Sequence, residues 1–297
     1  MKVSIITISF NNLEGLKDTY NSIARQTFKD YEWIVIDGGS TDGTKEFLTD
    51  HNAELAFWCC EPDKGVYNAQ NKGTQHAKGE YCIYMNSGDT FYAEDVLEKL
   101  FESVHEADII YGNWVLKYDN GKDVLRKGPD VADLVFFFDD NMCHQAMAIK
   151  TNAVLERPYD ESFRIYGDWE EWLALYMQGK KFEKVDLTIC DFLVGGLSTG
   201  DDASDALKAE RLAEIKRITD KYYSEPWKKT MQRIAPILRE NQALKSHVKL
   251  TYEAFGKEEN RLTTKKVKHI RIIRILGWII ALLMISNILL LLYVASI

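Results

Sequence analysis

Residues 3–8 form an unbroken apolar, β-branched run that ends on Ser9-Phe10-Asn11-Asn12. That is the pattern of a strand buried on both faces that opens into a loop. Leu13, Leu16, Tyr20 and Ile23 then recur at helical spacing and predict an amphipathic helix ending near Gln26. Residues 33–36 read as a second buried strand stopped by Asp37-Gly38-Gly39-Ser40, and Asp42 stands as an N-cap for the helix that follows. Residues 56–60 predict a third strand, 66–77 a helix, and 81–84 a fourth strand that breaks open at Asn86-Ser87-Gly88-Asp89. Strand alternating with helix four times over is the rhythm of a parallel, doubly wound sheet.

After Asp89 the rhythm changes. Residues 93–104 look helical, and the apolar segments 109–118 and 124–126 flank Asp119-Asn120-Gly121, a hairpin signal. Residues 145–149 read as a strand. Trp169, Trp172, Leu173 and Tyr176 mark a helix over 168–178 that stops at Gly179. Residues 189–194 read as another strand, opening into Gly195-Gly196-Leu197-Ser198, and 205–264 as charged and helix-rich. Residues 275–297 carry no charge across 23 positions. At ~1.5 Å per residue they reach about 35 Å, enough to cross the ~30 Å hydrocarbon core of a bilayer. Lys265, Lys266, Lys268, Arg271 and Arg274 precede this run, and such a cluster orients the preceding chain to the cytoplasm. A helix lying in the membrane interface and a buried helix of a soluble protein are the alternatives for this run.

Composition narrows the field. The formal net charge of −8 speaks against a nucleic-acid partner, because phosphate backbones recruit basic surfaces. Five cysteines without a C-x-x-C pair indicate neither a disulfide framework nor a zinc site. Met1-Lys2 runs straight into a strand, with no secretory signal pattern. The expected organisation is a catalytic domain over 1–204, a helical neck with a basic juxtamembrane segment over 205–274, and a membrane anchor over 275–297.

The chemistry sits in the polar turns. If the first strands are parallel, the turns at Ser9-Phe10-Asn11, Asp37-Gly38 and Asn86–Asp89 meet on one edge, where open α/β sheets bind ligands. An aromatic wall for a base, a carboxylate for its edge or ribose, and a carboxylate to hold a divalent cation on a diphosphate would then lie together. Each turn alone is equally well explained by turn chemistry.

In their order, Ile-Thr-Ile-Ser-Phe-Asn-Asn, Val-Ile-Asp-Gly-Gly-Ser-Thr-Asp-Gly-Thr, Glu-Pro-Asp-Lys-Gly-Val-Tyr-Asn-Ala-Gln-Asn-Lys-Gly and Asn-Ser-Gly-Asp resemble the motifs of family 2 glycosyltransferases. The resemblance covers residues 1 to about 200. It implies a GT-A fold, a mixed Rossmann-like α/β sheet flanked by helices, and inverting transfer from a nucleotide-sugar, most often a UDP-sugar. By the resemblance Phe10, Asn11 and Asp37 lie at the nucleobase, Asp63 and Lys64 border the nucleotide, and Asn71 and Gly73 sit near it. Asn86 and Asp89 occupy the ends of the family's D-x-D signature, so a divalent cation, Mg²⁺ or Mn²⁺, would rest on Asp89, with Asn86 a departure from the pattern. Asp168 matches the position of the catalytic base. As the start of a helix it also reads as an N-cap, while Glu170 and Glu171 read as solvated or supporting groups. His144 and Gln145 resemble the acceptor-side wall, and Gly195, Gly196 and Ser198 a loop near the diphosphate that could equally be a plain turn.

The expected protein is a membrane-tethered, metal-dependent glycosyltransferase using a lipid-linked or other saccharide acceptor in polysaccharide biosynthesis. A silent membrane-anchored nucleotide-sugar-binding protein is the first alternative. A sugar nucleotidyltransferase is the second, and it lacks its Gly-rich basic loop after the first strand.

Overall fold

A computed structural model describes residues 1–240 of the chain, apart from 104, 197, 198 and 200–203. The first half runs β1 (Val3–Ser9), α1 (Leu13–Ala24), β2 (Tyr31–Asp37), α2 (Thr44–Asp50), β3 (Phe57–Cys60), α3 (Val66–His76) and β4 (Tyr81–Tyr84). The strands lie in the order β3-β2-β1-β4, all parallel. Alternate residues of these strands face opposite layers. Ile5, Val35 and Ile83 pack with Leu16 and Ile23 of α1, whereas Ile6 and Ile36 meet α3 so closely that a Cβ on Gly73 would lie 2.5 Å from Ile6 Cγ2.

The second half is β5 (Thr90–Phe91), α4 (Val96–Phe101), β6 (Ile109–Lys117), β7 (Asp123–Arg126), α5 (Leu134–Asp139), β8 (Met147–Lys150), α6 (Thr151–Glu156), α7 (Gly167–Met177), β9 (Phe182–Leu193), α8 (Asp205–Tyr222) and α9 (Glu225–Glu240). β8 pairs antiparallel with β4, β6 with β8, and β5 with β9, while β9 runs parallel to β6 across a bulge. The doubly wound parallel pattern therefore stops at β4, and the sheet as a whole is mixed. The hairpin at Asp119-Asn120-Gly121 joins β6 to β7 as its turn residues require.

Three features depart from the sequence reading. β9 begins at Phe182, seven residues before the apolar run that marked it, because its first half alternates with charged residues and is held by β6. Asp42 is not the N-cap of α2, a position held by Gly43. Instead its carboxylate accepts from Leu13 N–H at 2.8 Å and Thr44 Oγ1–H at 2.6 Å, tying the starts of two helices together. The compact unit runs from Met1 to Ala235, so α8, expected in a neck, belongs with the first 204 residues. The remaining neck residues beyond 240 and the expected membrane span at 275–297 lie outside the described residues. Among the described residues no helix is long and apolar enough to cross a membrane.

At the edge opposite the polar turns, buried Glu32 accepts from Ser4 Oγ–H at 2.6 Å and from the Lys78 and Gly79 N–H groups, and Thr151 Oγ1–H donates to Gly79 O at 2.6 Å. A Cβ at position 79 would fall 2.5 Å from both Ser4 N and Val3 C. Backbone cannot retreat as a flexible side chain can, so Gly79→Ala is expected to destabilise the chain by about 1–3 kcal/mol. Urea titration checks this, and a midpoint unchanged from wild type would contradict it.

Candidate active site

The in-register pairing of β1 with β2 sets Ser9 beside Asp37, so the turns after these strands touch. Asp37 is fully buried. Its Oδ2 accepts from Ser40 N–H at 2.8 Å and Gly39 N–H at 3.1 Å, and its Oδ1 from Ser40 Oγ–H. Burial, with a hydrogen bond to Asp37, pushes the Cys60 thiol up to about 11. Asn11 has a left-handed backbone with φ 48°, a conformation asparagine tolerates. Its N–H donates to Ser40 Oγ at 2.7 Å and its Oδ1 accepts from Thr41 N–H at 3.0 Å. Phe10, beside it, is 65% exposed. The space over Gly38 is bounded by both walls of this corner: a Cβ there would lie 2.8 Å from Asp63 Oδ2 and 3.2 Å from the Phe10 ring. Phe10, Asn11, Asp37 and Asp63 thus converge. Asp63 Oδ1 accepts from Gly65 N–H at 2.8 Å, and the exposed Lys64 is anchored through its N–H to Asn68 Oδ1 at 3.2 Å.

Asn71 and Gly73 stand apart from that corner. The Asn71 amide is taken up by Tyr159 N–H and C=O, both at 2.9 Å, and by Glu161 at 3.1 Å, while Gly73 faces the sheet.

The turn after β4 meets the second half of the chain. β8 is antiparallel to β4, so the residues that precede β8 lie beside those that follow β4. Gln145 Nε2–H donates to Asp89 Oδ2 at 2.6 Å, and Leu193 N–H, at the end of β9, donates to Asp89 Oδ1 at 2.9 Å. Burial raises the Asp89 carboxyl to about 6, against the lowering effects of the Leu193 and Gln145 hydrogen bonds. Asn86 Nδ2 lies 3.0 Å from His144 Nε2, and Gln70 Nε2 3.4 Å from the same nitrogen. Facing two amide donors, Nε2 accepts, which puts the ring proton on Nδ1. Nδ1 in turn lies 3.2 Å from Asp168 Oδ2. Asp168 Oδ1 accepts from Trp169 N–H at 2.7 Å and from Asn141 Nδ2–H at 3.3 Å, with Tyr67 Oη 3.5 Å away. A continuous path of hydrogen bonds thus links Asn86, His144 and Asp168.

Asp168 is the second residue of α7, not its N-cap. Glu170 and Glu171 are fully buried rather than solvated, and both pair with Arg157. Although burial opposes it, hydrogen bonds from Lys221, Tyr222 and Arg157 hold the Glu170 carboxyl below the usual range. Gly195 and Gly196 are exposed, with open space around both, and Ser198 lies outside the described residues. Gln70, Asn141, Tyr67 and Ser40 are the residues missed in the sequence. Asn141 lies three residues before His144, a proximity that could have flagged it, whereas Gln70 and Tyr67 carry no local signal. Two buried polar atoms of this region, Ser9 Oγ and Gln70 Oε1, have no partner among the described residues.

Among the described residues no group of three or more His, Cys, Asp or Glu side chains is arranged to hold a metal ion. A hard cation bound to a diphosphate needs fewer protein ligands, commonly one or two carboxylates with waters and phosphate oxygens. Asp89 fits that demand. Each of its oxygens accepts one hydrogen bond and keeps a second lone pair, and its raised carboxyl shows that burial leaves the negative charge short of compensation.

The glycosyl transferase family 2 pattern matches residues 4–163, more than half of the chain. An uncharacterized glycosyltransferase of Mycobacterium tuberculosis (strain H37Rv) is 36% identical over 174 residues, which are 57% of this chain and 66% of that protein. A PGL/p-HBAD biosynthesis glycosyltransferase of Mycobacterium bovis (strain BCG) is 31% identical over 174 residues, 56% of this chain and 66% of its own length. The chain thus spans just under two thirds of these relatives. Among solved structures, residues 1–349 of Staphylococcus aureus TarS superpose with a TM-score of 0.57 at 18% identity, over 79% of this chain and 69% of that one. The Pyrobaculum calidifontis mannosyltransferase PcManGT, in complex with GDP-Man and Mn²⁺, gives a TM-score of 0.53 at 16% identity, over 85% and 79%. At those identities the structures share the fold. The chain belongs to glycosyltransferase family 2, with a GT-A-like mixed α/β fold.

The raised Asp89 carboxyl has a consequence for stability. The folded chain binds this proton more tightly than the unfolded chain, whose carboxyl titrates near 3.8. Unfolding free energy should therefore fall as pH rises from about 4 to about 6, by on the order of 2–3 kcal/mol from this group, and level off above that. In denaturant titrations over this range Asp89→Asn should lack that component, and parallel profiles for the two proteins would contradict it.

Proposed function

We propose that the protein transfers a sugar, with inversion, from a nucleotide-sugar to a saccharide acceptor, with Asp168 as the base. The observation that carries this reading is the hydrogen-bonded path from Asn86 through His144 to Asp168, which couples a donor-side turn to a carboxylate on the opposite half of the chain. The corner formed by Phe10, Asn11, Asp37 and Asp63 suits a nucleobase and ribose. The unpartnered Ser9 Oγ and Gln70 Oε1 leave hydrogen-bonding capacity for a ligand. UDP is the favoured carrier, supported by TarS structures in complex with UDP and UDP-GlcNAc. A GDP-sugar is the second choice, supported by the PcManGT complex.

In the transfer, the acceptor hydroxyl oxygen bonds to the anomeric carbon while the bond from that carbon to the diphosphate oxygen breaks on the opposite face. The hydroxyl proton passes to Asp168 Oδ2, which among the described residues accepts only from His144 Nδ1–H. His144 fixes this oxygen, and Trp169 N–H with Asn141 fixes the other. A divalent cation held by Asp89 would neutralise charge on the leaving diphosphate. Asn86 keeps its carbonyl beside Gln70 Nε2, at 3.5 Å, and cannot add a second carboxylate. The acceptor is proposed to be lipid-linked, with the catalytic unit on the cytoplasmic face. This rests on the basic cluster and the uncharged run at 275–297, which would confine the site to a membrane surface.

The test is nucleotide release from UDP-, GDP- and dTDP-sugars by the detergent-solubilised full chain, with membrane lipid extract as acceptor source and Mn²⁺ or EDTA. One donor should be turned over in Mn²⁺. Asp168→Asn should lower kcat by about 10²–10⁴-fold while leaving UDP affinity within about twofold. Full activity in Asp168→Asn would remove it as the base. Binding of UDP with no release from any donor would favour a silent nucleotide-sugar-binding protein, the reading to which Asn86 in place of a carboxylate lends support.

A further inference from the structure

The peptide N–H groups of Arg164, Ile165 and Tyr166 precede the first turn of α7. They lie at the N-cap, Tyr166, and the two residues ahead of it, outside the ladder of α7, so they need an acceptor from elsewhere. It comes from α8. Glu214 Oε1 accepts from Arg164 N–H at 2.6 Å, and Glu214 Oε2 accepts from Tyr166 N–H at 2.8 Å and Ile165 N–H at 3.0 Å. One buried carboxylate thus fixes the backbone that leads into the helix carrying Asp168, from fifty residues further along the chain. Its negative charge also lies on the favourable end of the α7 dipole.

The same helix grips the segment on both sides of that contact. Arg217 donates to Asp160 Oδ2 at 3.2 Å and Ser162 O at 3.3 Å, and its guanidinium lies 3.9 Å over the Phe163 ring. Lys221 Nζ and Tyr222 Oη both donate to Glu170 Oε1, the former at 2.6 Å. Tyr67, from the nucleotide-binding half, donates to Ile165 O at 2.8 Å and comes within 3.5 Å of Asp168 Oδ1. The backbone at 164–166 is held through its N–H groups by α8 and through a carbonyl by α3, two residues before Asp168.

We infer that α8 is a strap for the base-bearing helix and that Glu214 is a positioning residue for Asp168. Glu214 touches no reacting atom. It sets where α7 begins and hence where the Asp168 carboxylate stands relative to His144 and the donor turn. α8 lies beyond the residues 4–163 that match the family pattern. The inference rests on Asp168 acting as the base.

The test uses the full chain with the donor that the release assay identifies, and UDP as the binding probe. Glu214→Gln keeps the shape but replaces one acceptor oxygen with an NH₂ group that cannot accept. It should lower kcat by on the order of ten- to a hundredfold, leave the KM for donor and the Kd for UDP within twofold, and speed hydrogen exchange at 164–166. Glu214→Asp, which keeps the charge, should recover part of the rate and supplies a second variant should Glu214→Gln fail to fold. In an Asp168→Asn background Glu214→Gln should have no further effect, because groups acting through one another are not additive. Glu210→Gln removes only the exposed pair with Arg164 and should behave as wild type. Wild-type kcat in folded Glu214→Gln, or an equal fall in kcat with and without Asp168, would overturn the strap alone. Wild-type turnover in Asp168→Asn would overturn the base assignment, and the inference with it.

Discussion

A strand paired parallel presents its end beside its neighbour's end, and a strand paired antiparallel presents its start there. β4 has one neighbour of each kind, β1 and β8. That single change of direction decides what the molecule can do. On one side it aligns three turns from consecutive strand–helix units. On the other it brings His144 and Gln145, nearly sixty residues later in the chain, to the turn after β4. A fully parallel sheet would have sent that segment to the opposite edge, leaving Asn86 and Asp89 with no partners from the second half.

The second regularity is electrostatic. The buried carboxylates at the working edge are satisfied chiefly by peptide N–H groups and amides. Asp37 is held by Gly39 and Ser40, Asp89 by Leu193 and Gln145, and Glu214 by three successive N–H groups. Such donors fix an anion's position while supplying no full positive charge to neutralise it. Further back, the fully buried Glu170 and Glu171 are paired with the full charge of Arg157. There the loss of one partner would strand the other, a penalty of about 3–5 kcal/mol for a buried pair. The working edge holds its carboxylates with uncharged donors; the rigid support behind it pairs its own with a cation.

These differences explain what could be read from the chain alone. The strand–helix rhythm through Asp89 was legible because each element is encoded locally, in β-branched runs, helical spacing and turn residues. Phe10, Asn11 and Asp37 were legible as a group because parallel pairing alone brings their turns together, whereas Asp63 came only from the family resemblance. The bond between His144 and Asn86 was not, since it depends on an antiparallel register between distant segments. Asn71 and Gly73 were expected near the nucleotide from the family resemblance alone, and the structure shows Asn71 bonded to Tyr159 and Gly73 against the sheet. Glu214 was invisible for another reason. Its partners are peptide N–H groups, which every residue but proline carries, so no side-chain pattern announces them. The charged, helix-rich appearance of α8 instead suggested a neck outside the domain.

The placement of α8 bears on how such a protein can be divided or recombined. A segment ending at β9 contains every residue that the family pattern matches, and by that criterion looks whole. It nonetheless ends before the carboxylate that holds the entry to α7, so its donor edge and the start of its base-bearing helix are secured by different stretches of chain. Exchange of donor specificity between relatives is therefore best made with a junction beyond Tyr222, so that a grafted edge arrives with its own buckle.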